Sequence, residues 1–138
     1  MRAAIPSSQR NTDLHEEMVE AVNARQVPEG LIAPEFRIES RLTPATDHEY
    51  HGAAGLREWQ SDLFEGFAGD AVFSVEKILA ATDGFVVARF SVVGRALRST
   101  EPVDLRWVGV MWFRDGKATR AIGYRSRDDA FKAVGLAE

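Results

Sequence analysis

The sequence predicts an α+β roll, with helices gathered on one side of a curved antiparallel sheet. Three observations carry that expectation. Helical periodicity is confined to the first half and the last dozen residues, whereas Val72 to Arg125 alternates between turn signals. A length of 138 residues suits one domain with a full hydrophobic core. The chain has no cysteine, which removes any disulfide framework, thiol nucleophile or thiolate metal site.

Residues 1–11 lack periodicity and carry Pro6, Ser7, Ser8 and Asn11, the composition of a flexible leader. A single domain then runs from 12 to 138. Leu14, Met18, Ala21 and Val22 form one apolar helical stripe from Thr12 onward, and Asp13 with Glu16 has capping-box spacing. The helix ends at Val27-Pro28-Glu29-Gly30, and Leu31 and Ile32 suggest a short further turn stopped before Pro34. Phe36, Ile38 and Ser40 then share one strand face, with Arg37, Glu39 and Arg41 on a wet side. Thr43 to His51 reads as a polar loop. Leu56, Trp59, Leu63, Phe64 and Phe67 recur at helical spacing, with Gly66 and Gly69 at the stop.

Four strands follow. Val72 to Ala80 leads through Thr82-Asp83-Gly84, where glycine suits a positive-φ turn, into Phe85 to Leu97. Val103 to Phe113 leads through Arg114-Asp115-Gly116 into Lys117 to Arg125. A short helix closes the chain, capped by Ser126, with Asp128 and Asp129 favourable to its dipole and Gly135 at its end.

The faces of the later strands carry functional information. Val103, Leu105, Trp107, Gly109, Met111 and Phe113 share the side that packs under the helices. The opposite side sets Val108, Val110 and Trp112 in a row, joined by Val93, Ile122 and Tyr124. An apolar patch on a sheet face that would be solvated in a monomer marks a partner surface. A homodimer through this convex face is the expectation, and a cover by the terminal helix or the leader is the alternative. The inner face holds small residues, Gly109 among them, which leaves a hollow rimmed by Phe90, Trp107, Met111 and Trp59. The final turn decides the rest. A three-residue loop with a glycine bulge puts Thr119, Ala121, Gly123 and Arg125 inside, while a two-residue turn puts Ala118, Arg120, Ile122 and Tyr124 there.

Composition excludes several functions. A net charge of −4, with 14 arginines among 17 basic residues spread along the chain, leaves no footprint for nucleic acid or an anionic membrane. No apolar run reaches membrane-helix length and no signal core is evident, so a cytoplasmic protein is expected. No phosphate loop, dinucleotide fingerprint or nucleophile elbow occurs, and no cofactor is expected. His48 and His51, with Asp47 or Glu49, have spacing for a metal but lack a further ligand, and a surface loop is expected there. His15-Glu16-Glu17-Met18 begins like a zinc-protease helix, but Val19 stands where the second histidine belongs. His15 is a general-base candidate near the cavity mouth, with capping or exposure as its default role. Tyr50 and Asp47 sit where they could gate an entrance.

In its ordered segments the chain resembles the SnoaL-like branch of the nuclear transport factor 2-like superfamily, with its polyketide cyclases and ketosteroid isomerase relatives. The segments are Ala21-Val22-Asn23-Ala24, His51 to Trp59, Val86 to Phe90, Met111 to Lys117, and the closing Tyr124, Asp128 to Phe131 and Val134 to Leu136. The resemblance implies a cone-shaped, cystatin-like roll with a pocket between helices and sheet, and frequent dimers through the convex face. It favours the glycine-bulge turn. The pocket is then expected to be lined by Met18, Phe36, Ile38, Ser40, Trp59, Phe90, Trp107, Gly109, Met111, Gly123 and Arg125. The catalytic groups of ketosteroid isomerases fall at Ser40, Met18 and Gly109, none of which can do their work. The expected function is binding of a small, largely apolar molecule, either by an isomerase- or cyclase-type enzyme or by a non-catalytic dimeric module.

Overall fold

A computed structural model describes residues 7–41, 49–99 and 101–136. Helix α1 (Ser7–Asn23) leads through a 3-10 turn (Glu29–Leu31) to strand β1 (Ile32–Arg41). Strand β2 (Glu49–His51), helix α2 (Gly52–Phe64), strands β3 (Val72–Ala81), β4 (Phe85–Arg95), β5 (Pro102–Arg114) and β6 (Lys117–Tyr124), and helix α3 (Arg127–Ala133) follow. The six strands form one curved, unclosed sheet in the order β2-β1-β6-β5-β4-β3. All neighbours are antiparallel except β1 and β6. The fold is α+β, as its element pattern predicts.

Helices α1 and α2 fill the concave side. Met18 and Leu56 pack with Phe36, Ile38, Val86 and Phe113, and Val22 packs with Phe73, Phe90 and Val92. Polar staples fix α1 along β3. Asn23 donates from Nδ2 to the Phe73 carbonyl (2.6 Å) and accepts the Phe73 amide at Oδ1 (2.9 Å). Twelve residues earlier, Asn11 donates to the Thr82 carbonyl at 2.9 Å. Buried side-chain amides of this kind are retained because each finds a backbone partner. They hold the stripe Asn11, His15, Met18 and Val22 against the sheet.

Several local expectations are corrected. Residues 7–11 of the expected leader are helical, and Asn11 has a partner in the β3–β4 turn; residues 1–6 lie outside the described residues. Asp13 is therefore inside the helix, where it accepts a hydrogen bond from Gln9 at 2.9 Å and caps nothing. The end of the expected loop, Glu49–His51, is a short strand paired to β1. Gly84 does not use a positive φ. Thr82 Oγ1 instead accepts the amides of Gly84 and Phe85, both at 3.1 Å, and closes the turn. Glu39 on the expected wet side of β1 is only 5 % exposed, held by Arg37 at 3.1 Å and Arg120 at 3.6 Å.

The β5–β6 connection combines both turn alternatives. Asp115 (φ 53°) and Gly116 (φ 77°) make a two-residue turn, and Arg114 pairs with Lys117. The register then shifts. Phe113 faces Ala118 and Trp112 faces Arg120, which leaves Thr119 as an extra residue on β6. Ala118 joins the inner core before this bulge, and Ala121 and Gly123 face inward after it.

The convex face is not bare in a single chain. Val108, Val110 (1 % exposed) and Val87 form a core with Ala130, and Phe131 and Val134 of α3 pack against it. Ile122 is 3 % exposed. The terminal helix covers this face because Ser126 caps it at the right place, accepting the Asp129 amide at 3.2 Å. Val72 and Val93, paired at the far end of β3 and β4, stay about half exposed.

Candidate functional site: a cavity under the concave face

The helices do not fill the concave side. A cavity of about 230 Å³ remains between α1, α2 and the sheet. Met18, Phe36, Ile38, Ser40, Trp59, Phe90, Trp107, Gly109, Met111 and Gly123 all line it. Arg125 does not. Strand β6 ends at Tyr124, so Arg125 sits on a bend past the sheet and is exposed.

Gly109 and Gly123 shape the wall by admitting rings. A Cβ on Gly109 would lie 2.6 Å from Phe90 Cε2, and one on Gly123 would lie 3.3 Å from Trp107 Cδ1. The hollow expected at these glycines is thus partly occupied by aromatic side chains lying flat across the sheet. Phe73, Phe90 and Trp107 stack on one another at 5.2–5.7 Å, and Trp59 meets Phe73 edge-on at 6.0 Å. Such contacts add to area burial and hold the rings in place.

His15 is the cavity residue that sequence reading underrates. The staples at Asn11 and Asn23 turn it inward, where it is 1 % exposed and lines the cavity. Its ring packs on Phe90 at 5.4 Å. Burial penalises the charged form and pushes its pKa down to about 4, so the imidazole is neutral at physiological pH. Its sequence signal is the spacing Asn11, His15, Met18, Val22, one helical stripe that includes two polar members.

Cationic groups stay away from the interior. Arg106 borders the cavity, but its side chain is 62 % exposed and tied to Asp104 (3.0 Å) and Glu76 (3.2 Å). Arg120 is on the convex face with Glu39 and over the Trp112 ring. The candidate gate and metal residues do not converge here. Tyr50 donates to Asp62 at 2.5 Å, and His51 lies 3.2 Å from Glu49. Asp47 and His48 lie outside the described residues. Among the described residues no cluster of three His, Asp or Glu side chains could hold a metal ion. No helix among them is long and apolar enough to cross a membrane.

Fold and cavity together define a class, a helix-filled curved sheet with an internal hollow. The SnoaL-like domain model matches residues 15–121, and the chain belongs to that family. No curated protein matches. Solved structures share the fold at low identity. A proposed SnoaL-like polyketide cyclase from Jannaschia sp. CCS1 is 17 % identical, with a TM-score of 0.70 and full coverage of both chains. A proposed isomerase from Bacillus subtilis is 15 % identical, with a TM-score of 0.68 over 96 % of this chain and 98 % of its own. AclR, a proposed hydroxylase from Streptomyces galilaeus, is 18 % identical, with a TM-score of 0.67 over 95 % and 88 %. Three differently proposed activities on one architecture show the fold and leave the chemistry to the site.

Proposed function

We propose that this protein binds a small, largely apolar molecule in the cavity beneath its concave sheet face. The observation that carries the reading is the wall itself: Phe73, Phe90, Trp107 and Trp59 frame an unfilled space with few polar groups. Sites for small molecules have this composition, apolar walls with a few placed polar atoms. Ser40, Met18 and Gly109, at the positions where ketosteroid isomerases carry catalytic groups, supply no carboxylate or phenol. Binding is therefore better supported than enolate chemistry. An isomerase- or cyclase-type activity on a small carbonyl compound is the second reading, and buried His15 favours it as the wall's proton-exchanging group.

Two indole rings in the wall provide the test. Titration with small ring compounds is expected to quench Trp59 and Trp107 fluorescence saturably, and native mass spectrometry should show one ligand per chain. A flat titration across a diverse ring-compound panel overturns the reading. A homodimer remains a proposal for the part of the convex face that α3 leaves open, around Val72 and Val93. Sedimentation velocity should show a dimer, and a clean monomer at micromolar concentration rejects it.

A further inference from the structure

We infer that His15 is the specificity-determining residue of this cavity, selecting a neutral ring-bearing molecule with one hydroxyl or carbonyl oxygen placed against its imidazole. The inference rests on the binding reading above and names the chemistry of its ligand. His15 is almost fully buried, and its ring lies against Phe90 at the cavity wall. Among the described residues the contact of its ring is with Phe90, and no salt bridge holds the imidazole, so its nitrogens remain available to a polar atom in the cavity. A ligand oxygen can supply that polar atom. A neutral imidazole carries one N–H donor and one acceptor nitrogen, so it can pair with a hydroxyl or a carbonyl.

Charge sets the other limit. The guanidinium nearest the cavity, Arg106, is outside at the rim and already paired with two carboxylates. Glu39, also beside the wall, turns its carboxylate to the convex face and Arg37. An anion entering the hollow would lose its water and meet aromatic rings and an uncharged imidazole, which is unfavourable. At about 230 Å³ the space is below the usual range of about 300–1,000 Å³ for drug-sized sites, which limits the ligand to one or two fused rings.

Three probes on one bicyclic skeleton test this: indane, 2-indanol and indane-2-carboxylate, titrated into wild type and His15→Phe. Wild type should prefer 2-indanol to indane by about tenfold, the usual value of one buried hydrogen bond. It should bind the carboxylate most weakly. In His15→Phe the preference for 2-indanol should vanish while indane binds at least as well. An unchanged preference in the variant, or tightest binding of the carboxylate, overturns the assignment to His15 and leaves the binding reading standing. No binding of any probe to wild type overturns both. Should the variant misfold, ¹⁵N spectra of histidine-labelled wild type decide. One His15 ring nitrogen should shift with 2-indanol and not with indane, and equal response to both rejects the inference.

Discussion

The two faces of the sheet are built from alternate residues of the same strands, yet they end in opposite states. On the convex face Val87, Val108 and Val110 are packed under α3, and Glu39, the one buried carboxylate among the described residues, is held by Arg37 and Arg120. On the concave face the neighbouring residues Trp107, Gly109 and Met111 border open space, and the buried imidazole of His15 has a ring contact in place of an ion pair. A seven-residue helix suffices to close one face, whereas a seventeen-residue and a thirteen-residue helix leave the other hollow. Coverage follows how well the surfaces fit, and length of the covering helix does not decide it.

Truncations on the two faces should separate most sharply. Ile122→Ala should cost about 3 kcal/mol, because the side chain is 3 % exposed and the packing around it cannot fully collapse. Met111→Ala, beside an existing void and half-buried, should cost about 1 kcal/mol, below the usual range for core methionines because fewer contacts are lost. Urea unfolding of both variants checks the contrast, and equal losses would mean the cavity wall is as tightly packed as the convex core.

His15 gives the concave face an acid-sensitive contribution. Its folded pKa, about 4, lies below the unfolded value of 6.5. Between these values the unfolded chain takes up a proton that the folded chain refuses. Stability is therefore fully present above about pH 6.5 and declines as pH falls toward 4, by up to about 3 kcal/mol in total from this residue. His15→Phe should flatten that part of the profile, read from urea midpoints at pH 4.5 and 7. A slope identical to wild type would show that His15 does not titrate from a buried, neutral state.

Gly109→Ala should cost stability about as little as Met111→Ala. Its Cβ meets the edge of the Phe90 ring at 2.6 Å, so the ring must tilt into the hollow. Overpacking of this order costs about 1 kcal/mol when the displaced group has room to move. Ligand affinity should fall with it, and tryptophan quenching measures that loss. Unchanged affinity would place the ligand away from the Phe90 end.

Most of this contrast is written in strand parity. Trp107, Gly109 and Met111 against Val108, Val110 and Trp112 is a period-two pattern, and it sorts the two faces without coordinates. Phe36, Ile38 and Ser40 do the same on β1. The parts that escape the sequence depend on long-range docking. Burial of His15 follows from Asn11 and Asn23 finding carbonyls in β3 and its turn, seventy-one and fifty positions away. The cover on Val110 depends on where α3 lands. Arg125 reads as a pocket residue only while β6 is taken one residue too far.

The extra residue at Thr119 has a consequence for how this chain tolerates change. From Phe113 to Val110, four residues on β5 stand against five on β6, and the inward row resumes at Ala121. Loss of Thr119 itself would leave every pair from Arg120 onward in place, because it removes only the bulge. With Thr119 kept and the bulge ironed out, an unbroken ladder would drive Arg120 and Ile122 toward the hollow and set Ala121 and Gly123 on the convex face. Point substitutions in the cavity adjust its shape, whereas a slip at this one position would exchange the lining of the cavity for the packing of the opposite face.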